Sequence, residues 1–195
     1  MTPRTPFWAS AAVLGALWGA VEVTLGGFLH TLRLPLLGAL LAAAEAGFLA
    51  AAHELEPRRG FVLATATVAA LVKGLAPMGA LFGPLVAILA EGALVELAFL
   101  LLPNRWLAAA VGGALGTCWA IAQMILMQVI LMGWAVLRLY EALLRAAGKV
   151  VGLTGSVTAV ALALGVLVGL GAAAGIWGVR IGRLARARAV QEGLA

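Results

Sequence analysis

Residues 80–102 read ALFGPLVAILAEGALVELAFLLL, and their only charged members are Glu91 and Glu96. An α-helix of this length, at 1.5 Å per residue, spans the roughly 30 Å hydrocarbon layer of a bilayer. A charge at that depth costs at least about 2.5–3.5 kcal/mol, so each glutamate must face protein or water rather than lipid. The stretch therefore reads as a membrane span with a polar inner face.

Five more apolar runs surround it, near 7–29, 35–54, 60–76, 106–132 and 155–179. Three of their charges are stranded in the same way: Glu22, Glu45 and Lys73. The whole chain has this character, with 195 residues, 64% hydrophobic, 11% charged and a mean hydropathy of +1.11. Six spans of roughly 20 residues use about 120 positions. The expectation is an all-α polytopic membrane protein, a single domain over 1–195 with six transmembrane helices. No small-residue cleavage pattern follows the first run, which predicts a retained span. Pro35, Pro57, Pro77, Pro84 and Pro103 punctuate the junctions, as helix ends require. Segment 134–149, WAVLRLYEALLRAAGK, sets Leu137, Tyr140, Leu143 and Leu144 against Arg138, Glu141, Arg145 and Lys149. That pattern predicts a short amphipathic helix at the interface before the last span.

The formal net charge of +5 is distributed at the ends of apolar runs, which argues for membrane topology and against nucleic acid as a partner. With both termini inside, Arg4, Arg58, Arg59, Arg105, Arg180, Arg183, Arg186 and Arg188 fall on the inner side. Arg33, Lys73, Arg138, Arg145 and Lys149 fall on the outer side. The excess favours both termini cytoplasmic. Trp8, Trp106, Trp134 and Trp177 lie near span ends, where amphipathic rings sit; Trp18 and Trp119 lie deeper.

Placed by helical rise, the polar residues separate by depth. Glu22 and Lys73 lie about 20 Å from the inner ends of their runs, Gln123 about 25 Å, and Glu91 about 10 Å below the outer end of its own. With His30 in the first outer loop and Trp119 lining the interior, they form a candidate outward-facing binding pocket. Glu91 and Lys73 are a possible buried ion pair. Glu45 and Glu96 read as deeper, structural or partner-facing. On the first run Ala12, Ala16 and Ala20, beside Gly15 and Gly19, make a stripe of small residues suited to close helix contact. Lone Cys118 reads as a buried packing residue. The Gly- and Pro-rich stretch 74–84 is a candidate pocket wall.

The residue inventory also narrows the chemistry. The acidic residues are all Glu, which excludes Asp-rich metal–phosphate motifs. There is no HExxH, no GxSxG, no Cys/His cluster with ligand spacing and no GxxxxGK[ST] loop. No catalytic residues, metal site or cofactor are expected, and the chain is not expected to be an enzyme.

In size, six-run layout, the Ala12, Ala16, Ala20 stripe and the stretch from Lys73-Gly74 through Gly83-Pro84 to Glu91 and Glu96, the chain resembles the substrate-binding S component of energy-coupling factor (ECF) vitamin transporters. The segment Leu25-Gly26-Gly27-Phe28-Leu29-His30 followed by Leu34-Pro35 shares that flavour. The resemblance implies capture of a vitamin or similar small nutrient at the bacterial or archaeal cell membrane. It implies docking of the alanine stripe on a transmembrane coupling subunit and drive from two cytoplasmic ATPases. The Met-His terminus of the nickel/cobalt branch is absent, which argues against a free metal ion as substrate. Read from the residues alone, two other functions stand beside this one: a self-contained ion-coupled secondary transporter, and a membrane scaffold in which the charges only pack.

Overall fold

The computed structural model describes residues 6–28, 37–75, 82–135, 138, 141–142 and 156–192. Within them the chain is all-helical. Helix α1 (Phe7–Val21) runs on into a π-helical turn (Glu22–Gly26); α2 is Leu37–Leu55, α3 Phe61–Gly74, α4 Phe82–Leu101, α5 Arg105–Met132 and α6 Ser156–Gln191. Among the described residues, four segments are long and apolar enough to cross a membrane: Phe7–Gly26, Gly83–Leu101, Arg105–Met132 and Ala161–Gln191. Helix α3 is apolar but shorter, and α2 carries Glu45, His53 and Glu54 in its 19 residues. Most of the predicted interfacial helix over 134–149 lies outside the described residues, and His30 lies outside them altogether.

The sequence explains where the helices begin and end. Asn104 caps α5, its side-chain oxygen accepting from Trp106 N at 2.9 Å and Leu107 N at 3.2 Å, which meets two of the donors a helix start leaves unpaired. Gly133, at φ 73° and ψ 179°, closes α5 in an extended, positive-φ conformation open in practice to glycine alone. Pro84 is not in a junction as the sequence suggested; it sits in the first turn of α4, where a missing N–H removes no helix bond. The largest difference is at α6. Falling hydropathy suggested an end near 179, but the helix continues to Gln191. Residues 180–190 hold four Arg and three Ala, both good helix formers, and polarity alone does not end a helix.

Helix α2 is the hub, packing on α6, α5, α4 and α3 and touching α1. Ala39, Ala42, Ala43, Ala46, Ala50 and Ala52 line its buried surface, so neighbouring backbones approach closely. A β-carbon on Gly178 would collide with the Gly47 backbone, one on Gly175 with Ala109, and one on Gly113 with Gly171. Such contacts bring α2, α5 and α6 together by the small-residue packing typical of helices in lipid. The central core gathers Trp18, Leu49, Val62, Ala66, Ala69, Ile88 and Val95, with Trp18 stacked on Phe48 at 5.2 Å. Outside it, large apolar side chains such as Leu17, Leu97, Leu126 and Val166 are exposed. So is Cys118, contrary to the sequence expectation, because no helix among the described residues covers its side of α5.

Two ends can be told apart. Phe7 meets Phe61 edge-to-face at 5.5 Å, and Arg105 and Arg183 both reach Glu54. The starts of α1, α3 and α5 thus share one end with the finishes of α2, α4 and α6. This arginine end includes Arg58 and Arg59 of the α2–α3 turn. The opposite, far end holds the π-helical turn, the start of α2, the finish of α3 and the start of α4.

Candidate functional site

Toward the far end, four helices carry charged side chains into the interior. Lys73, at the finish of α3, donates to the Glu22 carbonyl at 2.5 Å and pairs with Glu22 Oε2 at 3.4 Å. The π-helical turn beginning at Glu22 interrupts the regular ladder, so a carbonyl there can accept from a side chain. Thr24 strengthens the turn by donating to Ala20 O at 2.7 Å. Gly26 leaves the space: a β-carbon there would stand 3.1 Å from Glu22 Oε2 and 3.3 Å from Lys73 Nζ. The partner of Lys73 is therefore Glu22 and not Glu91, as the sequence had suggested.

Glu91 faces Glu45. The two carboxyl groups are within hydrogen-bonding reach, and Glu22 stands near enough to act electrostatically on both. Glu45 is 1% exposed and Glu91 5%. Sequence reading placed Glu45 deeper and apart. Counted from the far end, it is the ninth residue of α2 and Glu91 the tenth of α4, about 12 and 14 Å along their helices. The two are level, and that comparison of two helices running in the same direction was the available signal. Gly116 of α5 stands against Glu91, where a β-carbon would make ordinary contact 3.8 Å from Glu91 Cβ and Cγ.

Around this group, buried polar atoms lack partners among the described residues: Glu45 Oε1, Trp18 Nε1, Trp119 Nε1 and Gln123 Oε1. Trp18 lies against the Glu45 carboxyl without completing a hydrogen bond. Gln123 uses its other end, donating from Nε2 to Gly83 O at 2.6 Å. Gly116, Trp119 and Gln123 share one face of α5 by the helical period, so they run from Glu91 toward the start of α4. The structure thus brings Glu22, Lys73 and Glu91 together, adds Glu45 and Trp18, and continues to Trp119 and Gln123.

Glu96 is a different case. It lies toward the arginine end, where its Oε1 accepts from Gly60 N at 2.6 Å and its Oε2 from Val62 N at 3.0 Å and Leu63 N at 3.3 Å. Gly60 is the N-cap of α3 with φ 81° and offers no side chain, so Glu96 caps the helix from α4. Glu54, which sequence reading passed over, is 2% exposed. It receives Arg105 at 3.2 Å and Arg183 at 3.3 Å, while Arg186 donates to its carbonyl at 3.3 Å. Its place on the same predicted face as the inner arginines was the signal for it. A cavity of about 360 Å³ opens beside these groups, lined by His53, Arg59, Glu96, Phe99, Pro103 and Arg105. It lies at the opposite end from the Glu45–Glu91 pair, and its Glu96 and Arg105 already have partners within the chain.

The predicted small-residue stripe divides. Gly15 and Gly19 are buried against α3, where a β-carbon would collide with Thr65, Val68 or Val72. Ala12, Ala16 and Ala20 are exposed. Trp8, Trp106, Trp134 and Trp177 are exposed as well. No family model, no curated protein and no solved structure matches the chain.

Proposed function

We propose that the chain is a membrane-embedded solute-binding subunit, taking a small organic nutrient into the far half of its helical bundle. The observation that supports it is the set of unpartnered buried polar atoms on Glu45, Trp18, Trp119 and Gln123. Buried polar groups are nearly always paired, and leaving one unpaired costs about 1–3 kcal/mol. Two of these atoms lie at the Glu45 carboxyl and two further along α5 toward the start of α4, an arrangement that suits an elongated ligand able to supply the missing partners. The π-helical turn at Glu22 is of a kind frequent at functional sites.

In this reading all six helices span the bilayer, with α3 short because the Glu22–Lys73 pair closes its far end. The arginine end is cytoplasmic by the positive-inside rule, so both termini are cytoplasmic and the site opens outward. The exposed Ala12, Ala16 and Ala20 of α1 then form the docking face for a transmembrane coupling subunit, with two ATPases supplying energy, as in an ECF-type importer. Mass spectrometry of the protein purified alone tests capture: a small organic molecule at near one-to-one stoichiometry is expected, and its absence would overturn the reading.

The Glu45–Glu91 contact favours a second reading, an ion-coupled secondary transporter in which that pair carries protons. The chain alone in liposomes separates the two: solute accumulation driven by a proton gradient would establish the second and exclude dependence on ATPases.

A further inference from the structure

We propose that the recess between the α2–α3 and α4–α5 turns holds the headgroup phosphate of an anionic membrane lipid. Such a site needs only a bilayer around the bundle and does not depend on solute capture at the far end. The recess is the cavity of about 360 Å³ at the arginine end, and both turns bring a guanidinium to it, Arg59 and Arg105. Arg59 is exposed, and its side chain has no partner among the described residues; the neighbouring Arg58 is held by Glu56 at 2.7 Å. Arg105 shares the single carboxylate of Glu54 with Arg183. Glu96 also lines the recess, but its two oxygens are taken by three N–H groups at the start of α3. Three arginines therefore stand against two glutamates, and one positive charge is left over. A phosphodiester carries one negative charge and suits the forked donors of arginine. Arg105 gives only Nη1 to Glu54, and a guanidinium has five N–H donors, so both arginines keep donors for the phosphate.

The rest of the lining favours a lipid over a free phosphate. One wall is apolar, made by Phe99, Leu100 and Leu101 at the finish of α4. Phe99 is stacked on His53 at 4.0 Å, which stiffens that wall. Leu100 and Leu101 are exposed, so the apolar surface runs from the recess onto the flank of the bundle, where acyl chains lie. Trp106 follows Arg105 in the chain and carries the Arg183 guanidinium over its ring at 4.9 Å. Indole rings favour the headgroup level of a bilayer, which sets Arg105 at the depth of the phosphates. Basic pockets between helices on the cytoplasmic side are where anionic headgroups bind.

The test is native mass spectrometry of the full chain, released from micelles doped with equal amounts of phosphatidylglycerol and phosphatidylcholine of matched acyl chains. In phosphatidylcholine the choline cancels the phosphate charge. One phosphatidylglycerol is expected to stay bound, with a preference of about tenfold or more, the size of effect a hydrogen bond to a charged group gives. Arg59→Gln should remove most of that preference, and because Arg59 has no partner within the chain the substitution leaves the fold intact. Arg188→Gln takes a charge from the exposed last turn of α6, away from the recess, and should leave the preference unchanged. No preference for phosphatidylglycerol, or an Arg59→Gln variant that keeps it, overturns the site. An equal loss in both variants also overturns it, since that is the signature of a diffuse basic surface. Inorganic phosphate in large molar excess is the last arm. It should not displace the lipid, because the apolar wall holds the chains as well as the headgroup, and displacement would overturn the lipid as occupant in favour of a soluble phosphate.

Discussion

The two ends of the bundle use the same residue type in opposite ways. At the arginine end, Glu96 accepts from three backbone N–H groups and Glu54 is met by two guanidinium groups. At the far end, Glu45 and Glu91 face each other with no cationic partner among the described residues, with Trp18 beside them, while Glu22 has Lys73. Depth in the apolar run does not distinguish structural from functional charges. What distinguishes them is whether the chain itself supplies the partner. A carboxylate satisfied by backbone and arginine fixes helix geometry. Glu54 also keeps one oxygen unpaired but has two guanidinium groups on the other, whereas Glu45 has an unpaired oxygen and no cation among the described residues, and is poised to accept something from outside.

If this contrast is right, removing a carboxylate at the arginine end damages the fold. Glu96→Ala leaves three N–H groups at the start of α3 without an acceptor, two of them beside a buried core. At about 1–3 kcal/mol for an unsatisfied buried donor and about 1 kcal/mol for a lost cap, a loss near 3 kcal/mol is expected in denaturant unfolding in detergent. A loss below about 0.5 kcal/mol, within the range of ordinary surface substitutions, would break the comparison at its structural end.

Glu54→Ala should cost less, about 2 kcal/mol, because the side chains of Arg105 and Arg183 are 45% and 48% exposed and water can solvate them once released. The same variant should loosen the far reach of α6, since Arg183 and Arg186 both hold to Glu54. Faster amide hydrogen exchange confined to residues 180–191 is the expected signature. Uniform acceleration across all helices would show instead that Glu54 supports the whole bundle.

Much of the fold was legible because hydropathy and helix-end chemistry are local. The apolar runs located the helices, and Pro and Gly marked most of their ends. The site was legible in part. Glu22, Lys73 and Glu91 declared themselves as charges where lipid forbids them, and Gln123 and Trp119 by depth. Pairing was not legible, because it depends on how helices far apart in sequence are rotated against each other. Lys73 has Glu22 and not Glu91; Glu45 belongs with Glu91; Gly15 and Gly19 turn inward while Ala16 turns out. Nor could a π-helical turn be read from Glu-Val-Thr-Leu-Gly, since nothing in those residue types separates it from an ordinary helical turn. The extension of α6 was missed because apolar composition reports burial in lipid and not helix length.

At the far end the expected pattern reverses. Glu91→Gln keeps the volume and still offers Glu45 an N–H donor, so unfolding stability should change by less than about 1 kcal/mol. Solute affinity should fall roughly ten- to hundredfold, the 1.5–3 kcal/mol typical of a hydrogen bond to a charged group. Titrating the co-purified solute back onto ligand-stripped protein measures this. Equal losses in stability and affinity would make Glu91 a structural residue like Glu96, and the contrast between the ends would fail.

The smallest effect on the isolated protein, and the sharpest separation of roles, should come from Ala16→Leu. Ala16 is exposed on α1, and its side of the helix is not the one packed on α3, which carries Gly15 and Gly19. A larger apolar side chain there meets lipid, so stability should move by no more than about 0.5 kcal/mol and solute affinity should not move at all. Against a coupling subunit, the same side chain would hold two backbones apart at a contact that small residues make close. Uptake by the assembled transporter should therefore fall sharply while the purified chain binds as before. Loss of binding in the purified chain would place Ala16 in the solute site, and unchanged uptake would leave the alanine face to lipid alone.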